Sequence, residues 1–426
     1  MTRSLDVASA PIRATVNVPG SKSIANRALV CAALADGVSQ VRGCPDGDDT
    51  RAMIDGLTRL GATIVHRPDD GLTVSGHAGR IRGGVEVDAL LAGTTSRFLT
   101  AVASLGAEPS VVTGSPRLRA RPMAALHDSL SRLGARVESL GEAGCLPVRV
   151  SRGDLRGGVV ELPGDVSSQF VTALMLIAPL LPDGLSIRLT SPLVSRPYVA
   201  MTAAVMSTFG ASGIAVSDQT IEVAPDGYRS IDYVVEPDAS SASYPLAAAA
   251  ITAGDVDVPG LTTGSLQGDS AFASLLASMG CVATIGDSGT RVRGVSSMRG
   301  IDVDMADVSD LVPTLAAVAA FADTPTHIRG VGFIRNKESD RLGDLADGLR
   351  AIGCQTEVTN DGIVISPSVP ESYRGAELAT HHDHRLAMAW SLLALRVPGI
   401  SLDDDSVVSK SWPDWWTVRA SLVAGR

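Results

Sequence analysis

Of the 36 basic residues in this 426-residue chain, only Lys22, Lys337 and Lys410 are lysines; all the others are arginines. Arginine offers a planar fork of donors, whereas lysine carries a compact ammonium on a flexible stem. A lysine kept in such a chain marks a place that needs a movable point charge, and all three lie in polar motifs. PGSKSIANRAL (19–29) puts Lys22, Ser23 and Arg27 where a Gly-Ser loop runs into a helix. The free backbone N–H groups and the dipole of a helix N-terminus favour an anion there. The loop is only half of a nucleotide-binding one: Ser21 stands where G-x-x-x-x-G-K-[ST] requires its second glycine, which excludes an NTP hydrolase.

Further polar clusters point to the same chemistry. LAGTTSRF (91–98) is a small-residue loop with Gly93 and Arg97, and SPRLRARPM (115–123) places Arg117, Arg119 and Arg121 in one run. GDVSSQF (164–170) sets Ser167, Ser168 and Gln169 side by side, and VSRPYV (194–199) brings Ser195 and Tyr198. IRNKESDR (334–341) interleaves Lys337 and Arg341 with Glu338 and Asp340; HHDHR (381–385) ends in His384 and Arg385, and VSKSWPDWW (408–416) supplies Lys410. Each alone reads as a solvated face. Together they concentrate cations where Gly, Ser and Pro mark loops, which suits a small substrate with several anionic groups.

The elements that must hold these residues follow from a repeat. A helical stretch, a glycine and a short strand-like run recur at LTRLGATIV, LSRLGARV, MSTFGASGIAV, LASMGCVATI and LRAIGCQTEV, with the glycines at 61, 134, 210, 280 and 353. A helix closed by a left-handed glycine and followed by a strand is one supersecondary unit. One further period reaches Gly425, giving a sixth helix, and the N-terminal strand at 14–18 is expected to belong to that last unit. Six such α/β units exceed one core and divide into three per domain, with crossovers at Pro19-Gly20 and at 234–237.

Composition limits the alternatives. With 45% apolar residues the chain builds sizeable aliphatic cores, and its longest apolar run, 170–181, is shorter than the ~18–20 residues of a membrane span. The first residues lack the apolar core of a signal peptide, so a cytoplasmic location is expected. A net charge of −10 argues against nucleic acid or anionic membrane as partner. Cysteines 31, 44, 145, 281 and 354 have neither disulfide nor zinc spacing.

PGSKSxxNR, AGT followed by RF, SPRxRxRPM, SSQF, EPDASSASY (236–244), SLQGD (265–269), KESDR and DHRLAMA occur in family order over nearly the whole chain. In these motifs the sequence resembles the EPSP synthase family of enolpyruvyl transferases. The resemblance implies an α/β fold, a two-domain inverse α/β barrel of six βαβαββ repeats, three per domain. The domains would be 20–234 and 1–19 with 235–426, and the active site would lie in the cleft between them. It implies transfer of the enolpyruvyl group of phosphoenolpyruvate to the 5-hydroxyl of shikimate 3-phosphate by addition and elimination, with no cofactor and no metal, in a monomer. By the same resemblance Asp310, Glu338 and Lys22 are catalytic: Asp310 the base, Glu338 the proton donor to C3, Lys22 a bridge between both substrates. From its own surroundings Asp310 reads only as a carboxylate that complements a helix dipole. Ser23, Arg27, Ser167, Ser168, Gln169, Ser195, Tyr198 and Lys337, with Lys22 and Asp310, are implied for shikimate 3-phosphate. Gly93, Arg121, Gln169, Arg341, His384, Arg385 and Lys410, with Lys22, are implied for phosphoenolpyruvate.

Two departures from the family pattern bear on contacts: Leu91 stands where asparagine often precedes AGT, and Phe333 where a polar group usually accompanies Lys337. Gly93 leaves the room that glyphosate also occupies in the family. The sister enzyme acting on UDP-N-acetylglucosamine has Lys-Asn where this chain has Lys22-Ser23, and a cysteine in a loop that here, at 111–122, has none. A non-catalytic phosphometabolite-binding protein on the same scaffold is the alternative from a different class; it would have no use for Asp310 and Glu338 together with three placed lysines.

Overall fold

The computed structural model describes residues 2–67 and 71–425. Six helices end as the repeat requires. They are Asp48–Arg59, Ala124–Arg132, Arg196–Thr208, Phe272–Ser278, Arg341–Ile352 and Trp415–Ala424. Their closing glycines all take positive φ, from 67° at Gly425 to 115° at Gly61. After five of them the next amide reaches back to the last turn, for example Cys354 N to Leu349 O and Ala135 N to Leu130 O, both 3.0 Å. This is the wide closure that glycine permits because it has no Cβ.

The chain divides into two compact units, Gly20–Val235 and Met1–Pro19 with Glu236–Arg426. In the first, Gly158–Leu162 pairs parallel with Leu185–Leu189 through the helix Ser168–Ile177. Thr220–Val223 and Ala215–Val216 then add antiparallel strands. Two further four-stranded sheets of the same order complete this unit, and the second unit has two four-stranded sheets and one three-stranded sheet. The sheets that begin at Glu86–Asp88, Gly158–Leu162 and Asp302–Asp304 are each a β-helix-β step completed by a hairpin, whereas Asp36–Arg42 and Asp255–Pro259 take their parallel partners, Asp232–Val234 and Arg13–Thr15, from distant chain, and the three-stranded sheet has the β-helix-β step without the hairpin. Parallel strands need a crossover, and a helix supplies it.

Two details differ from the sequence expectation. The strand Arg13–Thr15 pairs parallel with Asp255–Pro259, in the sheet of the fourth repeat rather than the last. The last repeat instead receives Arg3–Ser4, antiparallel to Ser401–Leu402. Residues 16–18 lie outside any strand. The return crossing also falls one residue later than expected, because Val235 N still bonds to Arg42 O and continues the pairing of Asp232–Val234 with the first sheet.

Each unit has its own aliphatic core. The first helix of each repeat is buried on nearly every side: Lys22–Leu34, Gly93–Ala103 and Ser168–Ile177 in one unit, Ala239–Thr252, Val312–Ala319 and His384–Leu393 in the other. Their small and apolar sequences have no polar stripe, which is the pattern of a central helix. The glycine-closed second helices are one-sided; Asp48–Arg59 buries Ala52, Met53 and Leu57 and exposes Arg51, Asp55 and Arg59. The charged side chains of the central helices lie in their N-terminal halves: Lys22 and Arg27, Arg97, and His384 with Arg385. Among the described residues no helix is long and apolar enough to cross a membrane.

Candidate active site

In the unit Gly20–Val235 Lys22, Ser23, Gly93, Ser167, Ser168 and Gln169 sit at the N-termini of the central helices, and Ser195 and Tyr198 at the start of the glycine-closed helix Arg196–Thr208. Ser21 caps Lys22–Leu34, its hydroxyl accepting from Ile24 N. Lys22 Nζ then donates to Asp49 at 2.9 Å, and the backbone oxygen of Asp49 accepts from Thr95 Oγ1 at 3.0 Å. Ser167 caps Ser168–Ile177 by accepting from Gln169 N, leaving Ser168 and Gln169 in the first turn. Ser195 precedes Arg196–Thr208 in the left-handed region (φ 55°), which is strained for serine. Arg27 joins three of these helices. It donates to Ser23 O (2.7 Å), Thr202 Oγ1 (2.8 Å), Tyr198 O (3.3 Å) and Thr172 Oγ1 (3.4 Å). Its guanidinium also lies 5.8 Å from the centre of the Tyr198 ring. Burial lowers its pKa to about 10, so it stays charged at neutral pH. Four of its five donors are thus engaged internally, which makes Arg27 a clamp that holds Ser23 and Tyr198.

Gly93 opens the helix Gly93–Ala103. A Cβ there would lie 2.8 Å from Arg121 Nη1 and 3.2 Å from Arg97 Nη1. Arg97 is buried and donates to Gly93 O and Ser96 Oγ, so it braces this turn. Of the arginine run, Arg119 is tied to Gly114 O at 2.7 Å and Arg117 is exposed; Arg121 is the one against Gly93. Leu91 lies at the surface, 39% exposed.

In the other unit the predicted residues form one ion-pair network. Asp310 accepts from Arg385 (2.7 Å), Arg341 (3.1 Å) and Lys337 (3.4 Å). Glu338 accepts from Arg341 (2.7 Å) and Lys410 (3.0 Å). Arg341, 1% exposed, completes its fork on Asp383 at 2.6 Å. Burial would push the Asp310 carboxyl up, but Arg385 first, then Lys337 and Arg341, hold it well below the usual carboxylate range. Burial lowers Lys337, with Asp310 opposing. For Arg341 the carboxylates of Asp383, Glu338 and Asp310 outweigh burial and hold its proton more tightly than usual. Phe333 finds its place here: its ring centre stands 5.8 Å from Lys337 Nζ, so a cation–π contact orients the ammonium.

His384 opens the helix His384–Leu393 beside its cap Asp383. The two preceding histidines turn away, His381 towards Asp344 and His382 towards Asp404. Among the described residues no group of three or more His, Cys, Asp or Glu could hold a metal ion. All five cysteines are free. Asp49 and Asp383 belong to these sets although the sequence analysis assigns them no part. Asp383 stands inside the HHDHR motif, and only its pairing with Arg341, 42 residues away, reveals its part.

The model of the EPSP synthase (3-phosphoshikimate 1-carboxyvinyltransferase) family matches residues 7–418. The chain belongs to the EPSP synthase family. It is 41% identical over 419 residues to the 3-phosphoshikimate 1-carboxyvinyltransferase of Klebsiella pneumoniae (strain 342), covering 97% of both chains. It is 41% identical to the enzyme of that name from Shewanella sp. (strain W3-18-1), covering 96% of this chain and 97% of the other. The solved EPSP synthase of Acinetobacter baumannii superposes with a TM-score of 0.81 at 26% identity, over 99% of this chain and 97% of that one. The mixed sheets and repeated β-helix-β steps are those of this family's fold.

Proposed function

We propose that this chain transfers the enolpyruvyl group of phosphoenolpyruvate to the 5-hydroxyl of shikimate 3-phosphate, releasing phosphate, and that it works as a monomer in the cytoplasm. The observation that carries the reading is the network in which Asp310 and Glu338 share Arg341, with Lys337, Arg385 and Lys410 around them. Two carboxylates are what an addition and elimination across an enol requires. Asp310 takes the proton of the 5-hydroxyl as its oxygen bonds to C2 of phosphoenolpyruvate, while Glu338 delivers a proton to C3. In the second step C3 returns its proton to Glu338, the C2–O bond to phosphate breaks, and phosphate leaves with the proton held by Asp310. The enol ether is restored.

The cations supply the electrostatics. Without substrate they neutralise the carboxylates, so Asp310 is a weak base. An anionic substrate that engages Arg341, Arg385 and Lys410 draws them from Asp310 and Glu338, and the proton affinity of Asp310 rises when it is needed. Ser23, Ser167, Ser168, Gln169, Ser195 and Tyr198, at the N-terminal ends of their helices, suit the phosphate and hydroxyls of shikimate 3-phosphate. Lys22 serves both substrates as a movable charge, and Arg121 beside Gly93 takes phosphoenolpyruvate. The reaction therefore draws on residues of both units.

The test is phosphate release by the purified protein given phosphoenolpyruvate with either shikimate 3-phosphate or UDP-N-acetylglucosamine. Release with the first acceptor alone is expected. Release only with the second would contradict the proposal, and release with neither would leave a binding protein.

A further inference from the structure

One ionisable group beside the Asp310 network has no part in the scheme above. Asp269 lies in the short turn Gly268–Ala271 and is 3% exposed. Its Oδ2 accepts from the Ser240 hydroxyl, while its Oδ1 is buried without a hydrogen-bond partner. A buried carboxylate with one oxygen unpaired is costly, so the site favours a protonated carboxyl. The turn packs on the helix Ala239–Thr252, and so does the turn Ser309–Leu311 that carries Asp310. The charged groups that act on Asp269 are Asp310 from that turn, Arg385 from the helix His384–Leu393, and Asp238, the cap of Ala239–Thr252. The helix Phe272–Ser278, also packed on the turn, carries no ionisable group.

We propose that Asp269 is a positioning residue for Asp310, a second buried carboxyl whose own charge sets the proton affinity of the base and competes for Arg385. The inference rests on Asp310 being that base. Burial, then repulsion by Asp310, push the Asp269 carboxyl up to about 7, against Arg385 and Ser240. Below that pH Asp269 is neutral, and Asp310 keeps Arg385 to itself. Above it the new negative charge makes Asp310 the stronger base and draws on Arg385, which in the proposed scheme holds phosphoenolpyruvate. As pH rises, kcat and the KM for phosphoenolpyruvate should therefore rise together through one inflection.

Asp269→Asn fixes the neutral state. Between about pH 6 and about pH 8.5 its kcat is expected to lose the inflection, matching the parent within about twofold at the acid end and falling roughly tenfold below it at the basic end. Ser240→Ala removes the hydroxyl that favours the ionised form, so its inflection should move to higher pH; this variant keeps the carboxyl and decides the matter if Asp269→Asn does not fold. A profile parallel to the parent for Asp269→Asn, or an unmoved inflection for Ser240→Ala, overturns the coupling. Asp310→Asn is the control: if it turns over at the parent rate, the reading of Asp310 as base fails. If it is inactive while the other profiles stay unaltered, the coupling alone fails.

Discussion

Lys22, Arg341 and Asp310 owe their properties to partners distant in sequence. Arg341 is the extreme case, a buried guanidinium whose fork is met by Asp383, with Glu338 and Asp310 on its remaining donors. Asp383 also accepts from Arg385 N and so caps the helix that presents His384 and Arg385. Removing one partner of a buried pair leaves an uncompensated charge, which costs about 3–5 kcal/mol. Arg341 keeps two other carboxylates, so Asp383→Ala is expected near the lower end, about 3 kcal/mol, measured as the shift in the urea midpoint multiplied by m. Most of the cations and Glu338 are legible in the sequence, because they stand in motifs of fixed spacing; the role proposed for Asp310 rests on the family resemblance alone, its own surroundings reading as a carboxylate that complements a helix dipole. The parts of Asp383, Asp49 and Asp269 are not legible in the sequence. Their importance lies in pairings across 27 to 42 residues, and local patterning carries no trace of such contacts.

At the scale of elements, two kinds of helix divide the work. The buried first helices bring polar N-termini into the core region, and the amphipathic second helices, each shut by a glycine, return the chain to the sheet. Gly353 offers a clean test of the closure, since it sits at φ 101° and a Cβ there meets no atom closer than 3.8 Å. Gly353→Ala should therefore cost only the backbone strain, about 1 kcal/mol, with kcat unchanged, as read by denaturant unfolding and steady-state rates. A loss of several kcal/mol would mean that packing rather than φ fixes that glycine. The helix-glycine repeat was legible because only glycine serves so well at such an end. The pairing of the first strands was not: Arg3–Ser4 and Arg13–Thr15 are two and three residues long, too short to carry a period. Which sheet each joins is decided by strands about 240 to 400 residues away.

At the scale of the molecule, the chain leaves one unit at Pro19 and re-enters it at Glu236, so two peptide connections join the units. In the proposed scheme Lys22 and the serines of one unit and Asp310 and Glu338 of the other serve the same substrate pair. Shikimate 3-phosphate is then expected to draw the units together, and small-angle scattering should show a smaller radius of gyration when it is added. An unchanged radius at saturating ligand would count against closure by this substrate. The central claim is that one reaction uses both units. It is tested most directly by the rate of phosphate release from phosphoenolpyruvate and shikimate 3-phosphate in folded Lys22→Ala and Asp310→Asn variants, one from each unit. Each should fall about 10³-fold or more below the parent, in line with the loss of a main electrostatic or proton-transfer group. Parental turnover in either variant would contradict the account and confine the chemistry to the other unit.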